Sequence, residues 1–225
     1  MQCLAPDGYV ATSSDCNDAD STVRPGAPEI CDGQFNRCDS PLYTADSPPA
    51  NERDDDEDGY VECSIDASGW DGASGLLGGD CNDSDSAISP LTVWYLDADG
   101  DTFGKTSSTQ TGCGQPEGYV LTPGDCADGF PSVFPGAPEV CDGVSNNCDT
   151  SAWELYSVAA SEVDSDNDGY VPCSLSGGWL GSSLKSGDDC DDSDSDLNPS
   201  TTWYRDEDGD QFGELAVILS QCLQP

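Results

Sequence analysis

Hydrophobic residues along this chain occur in runs that are too short for helices. Gly, Pro, Asp and Ser interrupt every stretch in which a 3.6-residue period could develop, so the sequence predicts almost no helix. Short apolar runs of the kind that form strands occur at residues 8–10, 92–95, 118–121, 202–204 and 215–219. We therefore expect short β-hairpins joined by long irregular loops.

The same spacing of cysteine and aspartate occurs twice. Six cysteines of the first copy, Cys16, Cys31, Cys38, Cys63, Cys81 and Cys113, recur in order as Cys126, Cys141, Cys148, Cys173, Cys190 and Cys222, and the last two recur one position early because the second copy lacks one residue. Cys3 occupies the position of Cys113, so residues 1–14 are interpreted as the end of a preceding repeat. Residues 15–124 form repeat 1, and residues 125–225 form repeat 2, truncated before its last partner segment. An elongated tandem array is expected.

Composition narrows the class of protein. The formal net charge is −39, there is no histidine, and 13 cysteines occur in 225 residues. Such acidity disfavours nucleic acid and anionic membrane as partners, and no apolar run is long enough for membrane insertion. The cysteine content without C-x2-C pairs predicts disulfides in a secreted or cell-surface protein. Few hydrophobic residues imply small cores, which we expect around the Trp and Tyr side chains.

Two kinds of Asp-rich loop carry the candidate chemistry. Alternate carboxylates at loop positions 1, 3 and 5 can surround one cation, and the carbonyl at position 7 can add a ligand. The first kind supplies Asp54, Asp56, Asp58 and Tyr60, and Asp164, Asp166, Asp168 and Tyr170. The second kind supplies Asp97, Asp99, Asp101 and Phe103, and Asp206, Asp208 and Asp210. Neither kind has the Glu at position 12 that an EF-hand requires, so the remaining ligands must come from elsewhere.

A D-C-x-D segment follows each complete loop and is the nearest source of those ligands. The predicted partners are Asp80, Asp83 and Asp85; Asp125 and Asp128; and Asp189, Asp192 and Asp194. The loop at Asp206 has no downstream partner in this sequence, so its site is expected to be incomplete in isolation. A weaker candidate site in the first half of each repeat comprises Asp18, Asp20, Glu29, Asp32, Asn36 and Asp39, and in the second copy Asp128, Glu139, Asp142, Asn146 and Asp149. Asp15, the first aspartate of a D-C-x-D segment, is a further candidate ligand. Oxygen-only ligands and a high ligand count favour several Ca²⁺ ions per chain.

Purely structural interpretations of these residues are also possible from the sequence. The Asp runs could be solvated turns, and the first-half cluster could simply cap turns. The Trp and Tyr residues could form a glycan-binding face, although such aromatics more often provide the core of a small module. An enzyme is not expected, because no histidine is available as a base for a nucleophile.

Sequential pairing is the simplest disulfide hypothesis, because it brings loops and D-C-x-D segments together and leaves Cys222 over. It predicts the bonds Cys3–Cys16, Cys31–Cys38, Cys63–Cys81, Cys113–Cys126, Cys141–Cys148 and Cys173–Cys190.

The run D-C-x-D…P-G-A-P-E-x-C-D-G…N-x-C-D, followed by W-Y-x-D-x-D-G-D-x-F-G, resembles a bacterial secreted metal-binding repeat family of the MopE type. The D-x-D-x-D-G loops also resemble the calcium loops of thrombospondin type 3 repeats. The first resemblance spans the chain twice and implies extracellular, calcium-binding repeats. Thr102 and Gln211 depart from it, because they stand where the family usually has Gly at loop position 6. Copper binding is not carried over, because copper favours softer ligands.

Taken together, the sequence predicts small disulfide- and metal-stabilised repeats, mostly irregular, with short β-hairpins. The expected function is that of an extracellular calcium-binding structural protein, serving as a stalk, an adhesive or a filament-forming element. Its expected partner is itself or further repeats, through head-to-tail or lateral assembly. The alternative is a cell-surface module that binds a glycan or a protein partner.

Overall fold

The computed structural model describes residues 5–43, 47–65, 69–72, 75–149, 153–155 and 157–222. In these residues helix is confined to two short 3-10 turns, Ala50–Glu52 and Ala160–Glu162. Asp, Gly and Pro occur too often for a longer helix to form. The prediction of a loop-rich protein with almost no helix is confirmed.

Within the described residues, eight short strands form three small sheets. Strands β1 and β2 pair in parallel, β3 to β6 form a four-stranded sheet in the order β5-β3-β4-β6, and β7 pairs with β8. Their bounds are β1 Tyr60–Val61, β2 Leu77–Gly78, β3 Val93–Leu96, β4 Gly104–Thr111, β5 Tyr119–Val120, β6 Pro123–Asp125, β7 Thr202–Arg205 and β8 Glu214–Ser220. In the largest sheet, Tyr95 lies opposite Val120, and Gly104 lies opposite Pro123.

Four of the five predicted strand segments are strands, and the fifth is not. Residues 8–10 contain a turn and no strand, although their repeat equivalents at residues 118–120 include β5. The two segments differ in strand pairing: β5 pairs with β3, whereas no described strand lies beside residues 8–10. The sequence also missed β4, because its polar residues do not stand out from a loop.

The chain separates into two compact units, residues 1–94 with 110–116, and residues 95–109 with 117–225. Each has a small core of its own. The buried apolar residues are Val23, Ala27, Cys31, Val61 and Trp94 in the first unit, and Val133, Ala137, Cys141, Val144, Cys148 and Val171 in the second. The expectation of cores built around Trp and Tyr is wrong, because Trp94 is the one aromatic residue in this set and small valines fill most positions. Short side chains suit spaces between closely spaced loops.

The predicted disulfide pairing is wrong throughout. The bonds are Cys16–Cys38, Cys31–Cys63, Cys81–Cys113, Cys126–Cys148, Cys141–Cys173 and Cys190–Cys222. Cys222 is therefore paired, and Cys16 is not available to Cys3, which lies outside the described residues. The pattern is the same in both repeats, with sequence separations of 22, 32 and 32.

A side-chain amide explains why Cys31 need not bond to Cys38. Asn36 is fully buried in this C-D-G loop, where its Oδ1 accepts the N–H of Ile30 at 2.8 Å and its Nδ2 donates to Asp32 at 2.8 Å. The loop is thus closed by hydrogen bonds, and its two cysteines make longer-range bonds. In the chain-entropy model, a disulfide that closes a 32-residue loop destabilises the unfolded chain by ~1 kcal/mol more than one that closes a 7-residue loop.

Two glycines lie under tryptophan rings. A Cβ at Gly143 would lie 2.5 Å from Cε2 of Trp179, and one at Gly33 would lie 2.8 Å from Cε2 of Trp70. The glycine of each C-D-G motif is therefore required by the close approach of an indole ring as well as by its positive φ.

We expect Gly143→Ala to lower the free energy of unfolding by more than the ~1–2 kcal/mol that a left-handed non-glycine residue costs. Gly136→Ala is the matched control, because φ is +79° at Gly136 and +83° at Gly143, while no atom lies closer than 4.0 Å to a Cβ at Gly136. Denaturant unfolding of both variants isolates the close packing at Gly143, where a Cβ would meet the Trp179 indole and also the Gly181 backbone nitrogen at 2.9 Å. Equal losses would contradict this packing.

No helix in the described residues is long and apolar enough to cross a membrane.

Candidate metal centres

Each Asp-rich loop is shaped by the carboxylate at its first position. Asp54 accepts the N–H of Gly59 at 3.0 Å, and Asp97 accepts that of Thr102 at 3.1 Å. The first carboxylate thus folds the chain back so that the carboxylates at positions 1, 3 and 5 converge. In all four loops these three side chains each place one oxygen within 4.8 Å of the others: Asp54, Asp56 and Asp58; Asp97, Asp99 and Asp101; Asp164, Asp166 and Asp168; Asp206, Asp208 and Asp210.

The backbone at positions 4 and 6 of every loop has a positive φ and lies in the left-handed region. Position 6 has a φ of 92° at Gly59, but Thr102 and Gln211 adopt φ values of 81° and 72° there without being glycine. The lack of Gly at these two positions therefore leaves the left-handed backbone of the loop unchanged. Holding a β-branched residue in this region costs energy, which the loop hydrogen bonds and any bound ion must offset.

Three of the four D-C-x-D segments lie against the loop that precedes them. Asp83 accepts the N–H of Asp55 at 3.0 Å, Asp128 accepts that of Ala98 at 2.8 Å, and Asp192 accepts that of Ser165 at 2.9 Å. The same contact, repeated three times, brings the two predicted halves of each site together. Ligation itself stays a prediction, as does the role of the carbonyls of Tyr60, Phe103 and Tyr170.

Nine buried carboxylate oxygens at these three sites have no hydrogen-bond partner. Each site contributes three: Asp56, Asp58 and Asp80 in the first; Asp99, Asp101 and Asp125 in the second; and Asp164, Asp166 and Asp189 in the third. A buried carboxylate oxygen without a partner is costly, and three together repel one another. A cation in their midst removes both penalties, so the donor set fits a divalent metal ion.

Raised pKa values of the carboxyls at the second site also fit a bound cation. Asp125 is only 7% exposed. Burial, together with the charges of Asp101, Asp99 and Asp128, raises its pKa to about 6. Burial is also the main cause of the raised pKa of Asp99 and Asp101. The carboxyls at the corresponding sites, Asp58, Asp166 and Asp189, also have raised pKa values, again mainly through burial.

These pKa values predict opposite pH dependences for the metal-free and metal-loaded states. Because the pKa of Asp125 is higher in the folded state, its contribution to metal-free stability is present at low pH and is lost as pH rises through about 6. We expect the Tm of the chelated protein to rise between pH 7 and pH 5. The Tm of the metal-loaded protein should fall over the same range, because protons compete with the ion for its ligands. Thermal scans in chelator and in calcium check both signs, and parallel curves would contradict the site.

The third site contains a protein cation. Lys185 Nζ forms an ion pair with Asp164 Oδ2, and both side chains are largely buried. Although burial alone would raise the pKa of Asp164, hydrogen bonds from Lys185 and Gly169 hold it below its usual value. The equivalent residue of the first repeat is Leu76. At the third site, therefore, a bound ion must either displace Lys185 or share the Asp164 carboxylate with it.

We expect Lys185→Leu to tighten metal binding at the third site, because the competing ammonium is removed and a carboxylate is released. Calcium titration of this variant should show its weakest site strengthened while the other two are unchanged. Lys105→Leu is the control, because Lys105 is exposed in β4. An unchanged titration would show that Lys185 does not compete for the site.

Comparison with protein-family models adds an independent observation. Residues 15–40, 80–92, 125–152 and 189–206 match the family model Cu-binding MopE, whose description is "Putative metal-binding motif". The four segments that match this model are called MopE-type motifs below. Each matched segment begins at the first aspartate of a D-C-x-D segment, and three of the four begin with the segment that lies against an Asp-rich loop. Neither the curated proteins nor the solved structures contain a significant match.

The fourth loop stands alone. Asp206, Asp208 and Asp210 are exposed, unlike the equivalent residues of the other three loops, and no described D-C-x-D segment covers them. Conversely, the first MopE-type motif begins with Asp15 and Asp18, which are exposed and have no described loop beside them.

The weaker candidate cluster does not converge in the structure. Glu29 accepts the N–H groups of Asn36 and Arg37, and Asp39 accepts that of Gly26. Asp20 accepts hydrogen bonds from Thr22 and Gln34, and Glu139 repeats the role of Glu29. These carboxylates brace the MopE-type turn, and with Asp15 and Asp18 they belong to no described cluster of three. Asp85 and Asp194 likewise accept turn N–H groups.

Sequence reasoning missed two buried glutamates. Glu52 is 2% exposed and Glu162 is 4% exposed. Glu52 accepts the N–H of Gly33 at 2.8 Å, and Glu162 accepts that of Gly143 at 3.1 Å. Burial raises the pKa of both carboxyls. Each glutamate stands just before an Asp-rich loop and so ties that loop to the C-D-G turn. The recurrence of Glu52 as Glu162, at the same place in the second repeat, was the signal that could have identified the pair.

Proposed function

We propose that this chain is an extracellular, non-catalytic structural protein whose folding is coupled to calcium at three repeated sites. The observation that supports the proposal most strongly is the set of nine buried carboxylate oxygens without partners, three at each site. The same residue positions are unsatisfied in the first two sites, and two of them recur in the third. Because two of these positions are unsatisfied at all three sites, we infer that each site binds the same kind of ligand.

Calcium suits these sites better than copper or magnesium. Every candidate donor is an oxygen, the chain has no histidine, and the twelve described cysteines are in disulfides. Copper therefore lacks the imidazole or thiolate ligands that favour it, whatever the family model's name. Calcium accepts six to eight oxygens in flexible geometry, whereas magnesium demands near-ideal octahedra and retains water.

A structural role follows from what orders the chain. Short strands and small valine cores bury little apolar surface, so disulfides and ion-bridged loops must supply much of the stability. Binding free energy at each site then becomes folding free energy. An oxidising, calcium-rich extracellular setting supplies both stabilising agents, which suits a stalk, an adhesive or a filament-forming element.

Equilibrium dialysis with elemental analysis tests the identity of the metal. With disulfides intact, we expect about three calcium ions per chain, little competition from magnesium, and no stoichiometric copper. The controls are the triple variant Asp80→Asn, Asp125→Asn, Asp189→Asn, which should lose calcium, and Asp7→Asn, which should not. Preferential copper binding, or no bound metal, would overturn the calcium proposal.

The alternative function, a module that binds a glycan or a protein, is favoured by one feature. A groove of ≈ 490 Å³ beside β7 and β8 is lined by Trp203, Tyr204, Ile218 and Leu219 among others. Exposed aromatic and apolar side chains of this kind mark interaction surfaces. Saturable glycan binding that is lost on Trp203→Ala would support this alternative.

A further inference from the structure

The third metal site differs from the first in the side chains that surround its carboxylates. Lys185 forms an ion pair with Asp164, the carboxylate at loop position 1. Asn198 donates an amide N–H to Asp168 Oδ2, at loop position 5, over 2.9 Å. Two of the three loop carboxylates at this site therefore already have a side-chain partner from the chain itself.

A third side-chain donor reaches the D-C-x-D partner segment of the same site. Ser165 Oγ donates to Asp192 Oδ2 at 2.7 Å. The first repeat has different residues at the positions of the three donors, namely Leu76, Asp55 and Ser89. Leucine and an ionised aspartate offer no donor, and Asp58 Oδ2, the oxygen that corresponds to the acceptor of Asn198, is buried without a partner. The repeat thus carries the same carboxylates twice and supplies side-chain donors to only one set.

The donors do not complete the third site. Asp164 Oδ1, Asp166 Oδ2 and Asp189 Oδ2 are still buried without partners. Because the Asp164 side chain is only 2% exposed, water does not satisfy its free oxygen. One ammonium therefore neutralises one carboxylate and leaves a cavity of unsatisfied oxygens that still fits a divalent ion.

Backbone hydrogen bonds hold the lysine beside the loop. The N–H groups of Ser186 and Asp189 each donate over 2.9 Å to carbonyl oxygens at positions 6 and 8, counted from the first aspartate of the loop. The first site has the same two bonds, made by Leu77 and Asp80. Since Lys185 directly precedes Ser186, this pairing fixes the point from which its side chain reaches the carboxylate.

We propose that Lys185 takes the place of calcium at the third site, keeping its loop closed when calcium is scarce, and that calcium displaces it as the concentration rises. The inference rests on the proposed calcium function, because displacement requires an ion that binds these carboxylates. The first and second sites are then structural sites that fill early and lose their order without the ion. The third site is one that responds to the calcium concentration.

The chemistry of the two cations accounts for the exchange. An ammonium carries one charge and three donors, whereas calcium carries two charges and binds six to eight oxygens. Calcium therefore wins when it is abundant. Because the ammonium is tethered to the chain, its local concentration does not fall when calcium is removed. If the ion pair is closed about 90% of the time, calcium binds about tenfold more weakly than it would to the open site.

Hydrogen exchange measured by mass spectrometry on the oxidised chain at low temperature compares the two sites directly. In calcium, the amides of Leu77 and Asp80 at the first site and of Ser186 and Asp189 at the third should all be protected. In chelator we expect the first pair to exchange rapidly and the second pair to stay protected by about tenfold or more.

Reciprocal variants assign this protection to the lysine. Lys185→Leu, which gives the third site the residue of the first, should lose the protection in chelator and bind calcium at the third site about tenfold more tightly. Leu76→Lys should do the reverse, protecting the first site in chelator and weakening its calcium binding. Lys105→Leu, which removes an exposed ammonium in β4, should change neither quantity.

Bound calcium measured in the same samples separates this inference from the proposed function. Equal exchange of the third site in chelator with and without Lys185, while about three calcium ions still bind in calcium, overturns the role of the lysine and leaves the calcium function intact. Two bound ions at every calcium concentration overturn the displacement of Lys185. Absence of bound calcium in all variants overturns the proposed function itself.

Discussion

Removal of calcium with the disulfides intact is expected to lower the Tm more than any single substitution. Three sites bring together nine buried carboxylate oxygens without partners. Each ion adds roughly 2.7 kcal/mol when free calcium is 100-fold above its dissociation constant. Three such contributions are comparable to the whole stability of a typical domain, which is about 5–15 kcal/mol. We therefore expect the chelated protein to be largely unfolded at moderate temperature.

Calorimetry in calcium, in chelator and in chelator with calcium restored measures this effect. Recovery on restoring calcium shows that the loss is reversible and due to the ion. Magnesium at the same concentration serves as the control and should restore little stability. A Tm that is equal in chelator and in calcium would show that the Asp-rich loops are self-sufficient turns and that disulfides alone hold the fold.

The second large effect is that Asp125→Asn changes the free energy of unfolding in opposite directions with and without calcium. In the calcium-loaded protein, Asp125→Asn should lower the free energy of unfolding by about 2–3 kcal/mol, because one ion is lost or weakened. In chelator the same substitution should be stabilising, because it removes a carboxylate whose pKa burial and neighbouring charges raise to about 6. A merely structural carboxylate would not reverse sign.

Asp15→Asn is the matched control for this experiment. Asp15 is the equivalent D-C-x-D aspartate of the first MopE-type motif, but it is exposed and no described loop lies beside it. In a dilute monomer its substitution should leave both stability and calcium stoichiometry unchanged. Destabilisation of Asp125→Asn in calcium and in chelator alike would contradict a metal-binding role for this side chain.

The sequence identified most of the candidate metal centre because spacing alone places alternate carboxylates on one turn. The convergence of Asp97, Asp99 and Asp101 needs only residues of one loop, and the nearest D-C-x-D segment follows it in the chain. Local chemistry of this kind is readable from one sequence. The repeat also indicated which aspartates to consider as candidate ligands, because they recur together with the cysteines.

What the sequence did not reveal depends on long-range contacts. Cys31 lies near Cys38 in sequence but bonds to Cys63, and the hydrogen bonds of Asn36 close the loop between Cys31 and Cys38 instead. The polar strand β4 forms because β3 and β6 flank it, not because of its own residues. Glu52 looks like a surface residue until its partner Gly33 is known. None of these three features has a local signature.

A crystal structure of the oxidised protein grown in calcium, with anomalous scattering measured near the calcium edge, tests the central claim most directly. We expect a strong peak at each of three positions, about 2.3–2.6 Å from carboxylate oxygens of a loop and of its D-C-x-D partner. The middle peak should lie among Asp99, Asp101 and Asp125. Anomalous peaks confined to other parts of the chain, or absent from all three positions, would contradict it.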